Sequence, residues 1–406
     1  MRGMTAGEPR QHARAWRVFR VFLRLGLVSF GGPIAHLGYF RDEFVARRQW
    51  LTDSAYAELV ALCQFLPGPA SSQVGMAIGL SQAGIRGAVA AWCGFTLPSA
   101  VLMVLFALGL VHWGSALPAE SLHGLKWVAV AVVAQAVWAM GRLFCIDAPR
   151  VLMAVATTLV VVCWPHAWVQ WLLIAAGAMT GLVLRRAPDA AEAGGMTVLL
   201  SARTGVAMLV AFLILLLLLP WVARYSMAPA VQVFDPFYRT GALVFGGGHV
   251  VLPLLQAEVV APGWIGTDEF LAGYGFAQAL PGPLFAFSAF LGTAMSAGPG
   301  GWLGAMVCLL AIFLPSFLLI VGVLPFWSRV RRQRGVQAAV AGVNAVVLGL
   351  LLAALYDPLW TTAVRDWRDV AWIAVGVVML MWAKLPPWLM VLLLGLGGAA
   401  SAWLSG

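Results

Sequence analysis

Two strings carry the most legible chemistry in this sequence, Gln64-Phe65-Leu66-Pro67-Gly68-Pro69 and Gln278-Ala279-Leu280-Pro281-Gly282-Pro283. Proline lacks an N–H and clashes with the preceding turn, so each Pro-Gly-Pro must end one helix and begin another. A helix starting there offers unpaired N–H groups and the positive end of its dipole, a seat for an anion. Ser71, Ser72 and Gln73 follow the first break and Ser288 the second, while Gln64 and Gln278 precede them. These supply hydroxyl and amide donors, although a kinked, packed helix with capped carbonyls would use the same residues. A second pair of elements, Phe30-Gly31-Gly32-Pro33 and Phe245-Gly246-Gly247-Gly248, is followed by His36 and His249. An imidazole titrates near neutrality and can contact an anion or carry a proton, but a lone histidine in a membrane is more often a structural hydrogen-bonding group.

The composition says what must position these residues. Of 406 residues, 62% are hydrophobic and 10% charged, and the mean hydropathy is +0.90. Soluble domains carry about 45–50% apolar and about 25% charged residues. Apolar runs from Ala88 to Val111, Val206 to Trp221, Met306 to Leu324 and Trp388 to Leu404 approach the roughly 20 residues that cross a bilayer. The expected class is therefore an all-α polytopic membrane protein.

The net charge of +9 resides in short loops between apolar runs, which argues against nucleic acid as a partner. Arg10, Arg14, Arg17, Arg20 and Arg24 recur near helical spacing, predicting a cytoplasmic amphipathic lead-in helix at the interface. The start of the chain shows no signal-peptide pattern. Cys63, Cys93, Cys145, Cys163 and Cys308 form no CxxC pair and are expected to be buried, reduced packing residues. Neither a phosphate-binding G-x-x-x-x-G-K-[ST] string nor a clustered metal-ligand or nucleophile motif occurs, so no enzyme, cofactor or metal is expected.

The strings above are parts of one internal repeat. The Phe-Gly-Gly elements, Trp50-Leu51 against Trp264-Ile265, the two Pro-Gly-Pro strings, and Gly84, Gly87, Pro98 and Ser99 against Gly301, Gly304, Pro315 and Ser316 follow in one order. Basic loops change sides between equivalents. Arg41, Arg47 and Arg48 face a counterpart without basic residues, and 112–124 has none where Arg329, Arg331, Arg332 and Arg334 stand in the other half. This predicts inverted-topology repeats with re-entrant or broken helices at the FGG and PGP motifs, an arrangement typical of secondary transporters.

The expected organisation is a cytoplasmic N-terminal segment (1–15), a first repeat (16–186), a cytoplasmic linker (187–203), an unpaired helix (204–223) and an inverted second repeat (224–406). The N-terminus is then cytoplasmic and the C-terminus outside. Glu58 and Glu269 lie at different offsets in the second hairpins, as coupling groups or simply solvated ones. Asn344 reads as inter-helix glue rather than ligand. From the residues alone the reading is a small-anion transporter, with a passive channel as the alternative.

The order F-G-G-P-x-A-H, W-L and Q-x-L-P-G-P in one half, then F-G-G-G-H-V-V-L-P-L-L and Q-x-L-P-G-P in the other, resembles the chromate ion transporter family in its long-chain, two-domain form. The resemblance covers nearly the whole chain. It implies export of chromate across the bacterial inner membrane, giving chromate resistance, with sulfate as a competing oxyanion, and admits a homodimer in the lipid bilayer. It carries function onto Phe30, Gly31, Gly32, Pro33, His36, Pro67, Gly68, Pro69, Gly246, Gly247, Gly248, His249, Pro281, Gly282 and Pro283.

Overall fold

A computed structural model describes residues 8–113, 119–184, 200–331, 333–383 and 385–405. Among these there is helix and no strand. The helices are α1 (Glu8–Val28), α2 (Gly32–Arg41), α3 (Asp53–Phe65), α4 (Ala70–Trp113), α5 (Ala119–Phe144), α6 (Ala148–Cys163), α7 (Ala167–Leu184), α8 (Ala202–Tyr225) and α9 (Pro229–Leu243). They continue as α10 (Val251–Leu255), α11 (Thr267–Ala277), α12 (Phe287–Ala294), α13 (Gly301–Val323), α14 (Trp327–Val330), α15 (Arg334–Ala354), α16 (Thr361–Ala363), α17 (Trp367–Met381) and α18 (Pro387–Ser405). Among the described residues six stretches are long and apolar enough to cross a membrane: Ala70–His112, His123–Phe144, Ala167–Leu184, Ala202–Tyr225, Gly301–Val330 and Arg334–Ala363.

The FGG elements are turns of helical hairpins. The chain leaves α1, turns at residues 29–31 and returns along α2 and a π-helical turn, Asp42–Arg47. Phe22 of α1 packs on Phe40 and Phe44 of the returning arm, with ring centroids 5.6 and 5.0 Å apart. At the mouth of this hairpin Arg17 and Arg48 both lie over the Trp50 ring. The second copy repeats the plan. α9 leads to the turn at Gly246 and Gly247, α10 and a π-helical turn, Gln256–Val260, lead back, and Arg239 bonds Glu258 across the arms. Both mouths close alike, with Trp50 N–H donating to Phe44 O at 2.8 Å and Trp264 N–H to Val259 O at 2.9 Å.

The Pro-Gly-Pro strings turn a second hairpin in each copy. α3 runs in to residues 66–69, and the first arm of α4 runs out beside α2, so that His36 meets Ser71. α4 is not one rod of 44 residues. Ala83 and Gly84 leave helical geometry, and the second arm folds back so tightly that a Cβ on Gly79 would overlap Gly87 O. α12 and α13 repeat this contact through Gly292 and Gly304. Small residues at such crossings let backbones touch, which is how helices associate in lipid. The sequence-based span beginning at Ala88 is the second arm of α4, and its first arm belongs to the hairpin.

α1 is more than an interfacial lead-in. Val18, Val21, Phe22 and Leu25 are buried, and Gly94 packs against the backbone of Phe19 and Leu23, while Arg14, Arg17, Arg20 and Arg24 stay exposed. α8 packs Gly205 on Gly322 of α13 and exposes Val206, Val210, Leu213 and Leu217. The expected 187–203 linker lies outside the described residues up to 199. The five cysteines are free, but only Cys63 and Cys308 are buried. Cys163 is exposed at the end of α6, where apolar surface can face lipid as well as protein.

Candidate anion site at the hairpin tips

The four hairpin tips meet, and they do so reciprocally. Gly68 N–H donates to Val244 O at 2.7 Å, and Gly282 N–H donates to Ser29 O at 2.9 Å. Ser29 and Val244 each stand immediately before their FGG element. Each Pro-Gly-Pro tip is thus pinned to the FGG tip of the other copy. Gly68 lies against Ser316 of α13, and Gly282 against Ser99 of α4. Both glycines have positive φ, +119° and +94°, a region that side chains other than glycine's enter only with strain.

This corrects one expectation. Gly68 and Gly282 do not point free amides into the breaks, because a backbone N–H in a dry interior needs an acceptor and each has found one across the repeat. The free amides lie one turn on. The first helical bond of α4 runs from Gln73 N–H to Pro69 O at 3.0 Å, which leaves Ala70, Ser71 and Ser72 N–H outside the ladder. Around this helix head the hydroxyls of Ser29, Ser72 and Ser316 are buried without a partner, as are Gln73 Oε1 and, on the second arm of α4, Thr96 Oγ1. Buried polar groups are normally satisfied, so this concentration marks a place suited to an acceptor-rich ligand.

The remaining predicted residues divide. His36 bonds Ser71 Oγ (3.3 Å) and Ser29 O (3.1 Å) and sits edge-on to Phe95, joining the first FGG turn to the α4 head. Gln73 Nε2 donates to Pro67 O at 2.7 Å, pinning the break. Phe30, Gly32 and Pro33 are half-buried and Gly31 is exposed, while Gly68 and Pro69 are buried. Gln64 is exposed on α3 and takes no part in the tip contacts.

In the second copy the equivalent helix head reads Leu284-Phe285-Ala286-Phe287 and is apolar. Ser288 Oγ is spent on Phe285 O at 2.8 Å, Gln278 Nε2 on Tyr274 O at 3.5 Å, and His249 Nδ1 bonds Tyr274 OH at 2.8 Å. Pro281, Gly282, Pro283 and Gly248 are buried, and Gly246 and Gly247 half-buried. Gly246 lies beside Asn344, whose buried Oδ1 has no partner. The two breaks are therefore structural twins and chemical opposites.

Among the described residues several charged groupings escaped the sequence reading. Glu58 pairs with Arg331 and Lys126 with Asp268, both between the copies, whereas Glu269 is exposed. Arg239 binds both Asp235 and Glu258 and lies 4.2 Å from the Trp171 ring centroid. None of these partners is near in sequence except Asp235, so only that spacing was visible. Ser99 and Ser316 did carry a signal, as matching positions of the repeat. A small cavity lined by Asp147, Arg150, Gly181 and Gly342 lies between α6, α7 and α15 and includes no tip residue.

The model of the chromate transporter family matches residues 16–182 and 231–399, one segment for each copy of the hairpin pair. The chain belongs to the chromate transporter family. Within it, a chromate transport protein of Pseudomonas aeruginosa is 28% identical over 354 residues, 86% of this chain and 82% of the relative. One of Cupriavidus metallidurans is 28% identical over 341 residues, 82% and 80%. A probable chromate transport protein of Synechococcus elongatus is 26% identical over 391 residues, 93% of both. No solved structure matches the chain. Family membership, together with the six apolar helices, makes this a multi-pass membrane protein of the transporter class.

Proposed function

We propose that the protein is a secondary transporter that exports chromate across the bacterial inner membrane and so confers chromate resistance, with one oxyanion site at the head of α4. The observation that carries the site is the set of unpartnered donors there, Ser29, Ser72 and Ser316, beside the free amides of Ala70–Ser72. A tetrahedral dianion presents oxygen acceptors in every direction, and hydrogen bonds to a charged acceptor are the stronger kind. Among the described residues no lysine or arginine joins the cluster, which favours release. Sulfate has the same shape and charge, so neutral donors alone discriminate weakly and sulfate is the expected competitor. The named relatives, chromate transport proteins over most of the chain, support chromate.

The same reading makes the copies inverted. The second arm of α4 starts beside the hairpins of the first copy, passes the tips at Phe95 and Ser99, and runs on to Trp113. Its 85–113 stretch is about 43 Å long at 1.5 Å per residue, a full crossing with the tips near its middle. α13 passes the tips at Ser316 in the same way. Hairpins of the two copies then enter from opposite faces, with the arginine-rich mouth of the first copy cytoplasmic by the positive-inside rule.

The test is chromate uptake into inverted membrane vesicles, with and without imposed ion gradients and with excess sulfate. Accumulation that needs a gradient, is inhibited by sulfate and falls in Ser72→Ala supports the reading. Equilibration without accumulation makes the protein a passive anion channel, and no chromate flux from correctly inserted protein withdraws chromate.

A further inference from the structure

Among the described residues two ion pairs tie the entry arm of a Pro-Gly-Pro hairpin to the other copy, between corresponding elements though not at matching positions of the repeat, and a third, His123–Asp369, joins α5 to α17. Glu58, in the second turn of α3, bonds Arg331 Nη1 at 2.9 Å, with both side chains largely buried. Arg331 lies in the link that leads into α15. In the other copy Asp268 stands in the first turn of α11, the counterpart of α3, and bonds Lys126 Nζ at 2.6 Å. Lys126 lies near the start of α5, the counterpart of α15. Each pair thus ties the entry arm of one Pro-Gly-Pro hairpin to the start of the facing helix of the other copy.

Apolar contacts follow the same lines. Phe65 packs on Trp327 with ring centroids 5.7 Å apart, and Gly275 lies against the Leu125 backbone. The pairs are far apart along the fold. Glu58 sits near the mouth of the first copy's hairpins, and Lys126 follows the far end of α4, with the tips between them. Lys126 is 4% exposed, so losing its carboxylate leaves a buried cation that must move toward water.

We propose that Glu58–Arg331 and Lys126–Asp268 are the two latches of an alternating-access cycle, one at each face, and that breaking either opens the α4 head to that face alone. This rests on the transporter reading given above. With both pairs formed, the structure is the occluded state. Only a cycle that breaks them in turn connects the tips to one side at a time, since breaking both makes a leak. A ligand moves such an equilibrium by its differential affinity for the open and occluded states.

The test uses the full chain with its five cysteines replaced and Ala70→Cys as reporter at the α4 head, labelled by a membrane-impermeant maleimide in inverted and right-side-out vesicles. Glu58→Gln should raise labelling from the cytoplasmic face about threefold to tenfold, the range of a partly buried pair, and lower it from outside. Asp268→Asn should do the reverse, and the swapped pair Glu58→Arg/Arg331→Glu should restore the original rates. Labelling that rises at the same face for both variants, or changes for neither in folded protein, overturns the proposal. If Glu58→Gln does not fold, Glu58→Cys/Arg331→Cys joined by a short bis-thiosulfonate is used instead. It should abolish cytoplasmic labelling of the reporter and leave outer labelling intact, and unchanged cytoplasmic labelling overturns the latch. Labelling needs no substrate, so latches that respond as expected beside absent chromate flux would refute chromate and not the latches.

Discussion

Replacing Gly68 with alanine loads the first break in two separable ways. The backbone there has φ +119°, a conformation that costs a residue with a Cβ about 1–3 kcal/mol. The new methyl would also overlap Ser316 Oγ and stand 2.8 Å from Gln73 Nε2, an overpacking worth about 1–3 kcal/mol more. Together the variant should lose about 2–6 kcal/mol, read as a shift in SDS-induced unfolding of the purified protein in mixed micelles. Ser316→Ala removes the clashing oxygen and nothing that is bonded, since that hydroxyl has no partner. In the double variant the steric part, about 1–3 kcal/mol, should return while the backbone part remains. Gly282→Ala meets Ser99 Oγ at 3.0 Å and Phe95 O at 3.1 Å, contacts that a small shift relieves, so it should cost less than Gly68→Ala. A Gly68→Ala protein as stable as the parent, or one that Ser316→Ala fails to improve, would show that the tips are not locked as described.

Other substitutions probe other parts of the argument. Ser72→Ala should raise the KM for chromate about tenfold, the worth of one hydrogen bond to a charged group, whereas Ser288→Ala should leave the KM unchanged because its hydroxyl is occupied by Phe285 O. Initial uptake rates against concentration decide between them. Arg239→Gln strands Asp235 and Glu258 in a buried site and should cost about 3–5 kcal/mol, with Arg239→Gln/Asp235→Asn/Glu258→Gln recovering part of it in the same unfolding assay. Gly304→Val should abolish properly folded protein, because its Cβ would overlap Gly292 O, while Gly38→Ala, with open space around it and helical backbone, should still give a monodisperse peak on size-exclusion chromatography.

The positions of the breaks were legible because proline and glycine act locally, on the chain's own covalent geometry. The duplication was legible for the same reason, since its markers are turn residues in fixed order. What the breaks do with their hydrogen bonds was not, because the acceptors of Gly68 and Gly282 lie about half a chain away at Val244 and Ser29. Local spacing anticipated the span from Ala88 and the broken helix before it, but not that the two arms of α4 pack on each other so closely that a Cβ on Gly79 would overlap Gly87 O. Glu58 was read as a coupling or solvated group for want of its partner Arg331, 273 positions on. The unequal helix heads, Ala70-Ser71-Ser72-Gln73 and Leu284-Phe285-Ala286-Phe287, were visible as letters. Their meaning needed the tips brought together.

The reciprocal pinning of the tips also bears on how such a chain can change over generations. A protein holding one copy alone would leave a glycine amide and a carbonyl unanswered inside the bilayer, where no water can replace the missing partner. It could complete itself only against a second molecule, and if that molecule were identical, every substitution would strike both breaks at once. Joining the copies in one polypeptide removes that tie. The backbone bonds hold the geometry whatever side chains surround them, so one helix head is free to become greasy ballast while the other keeps its hydroxyls. Covalent duplication here yields a lock with two matching bolts and a single keyhole.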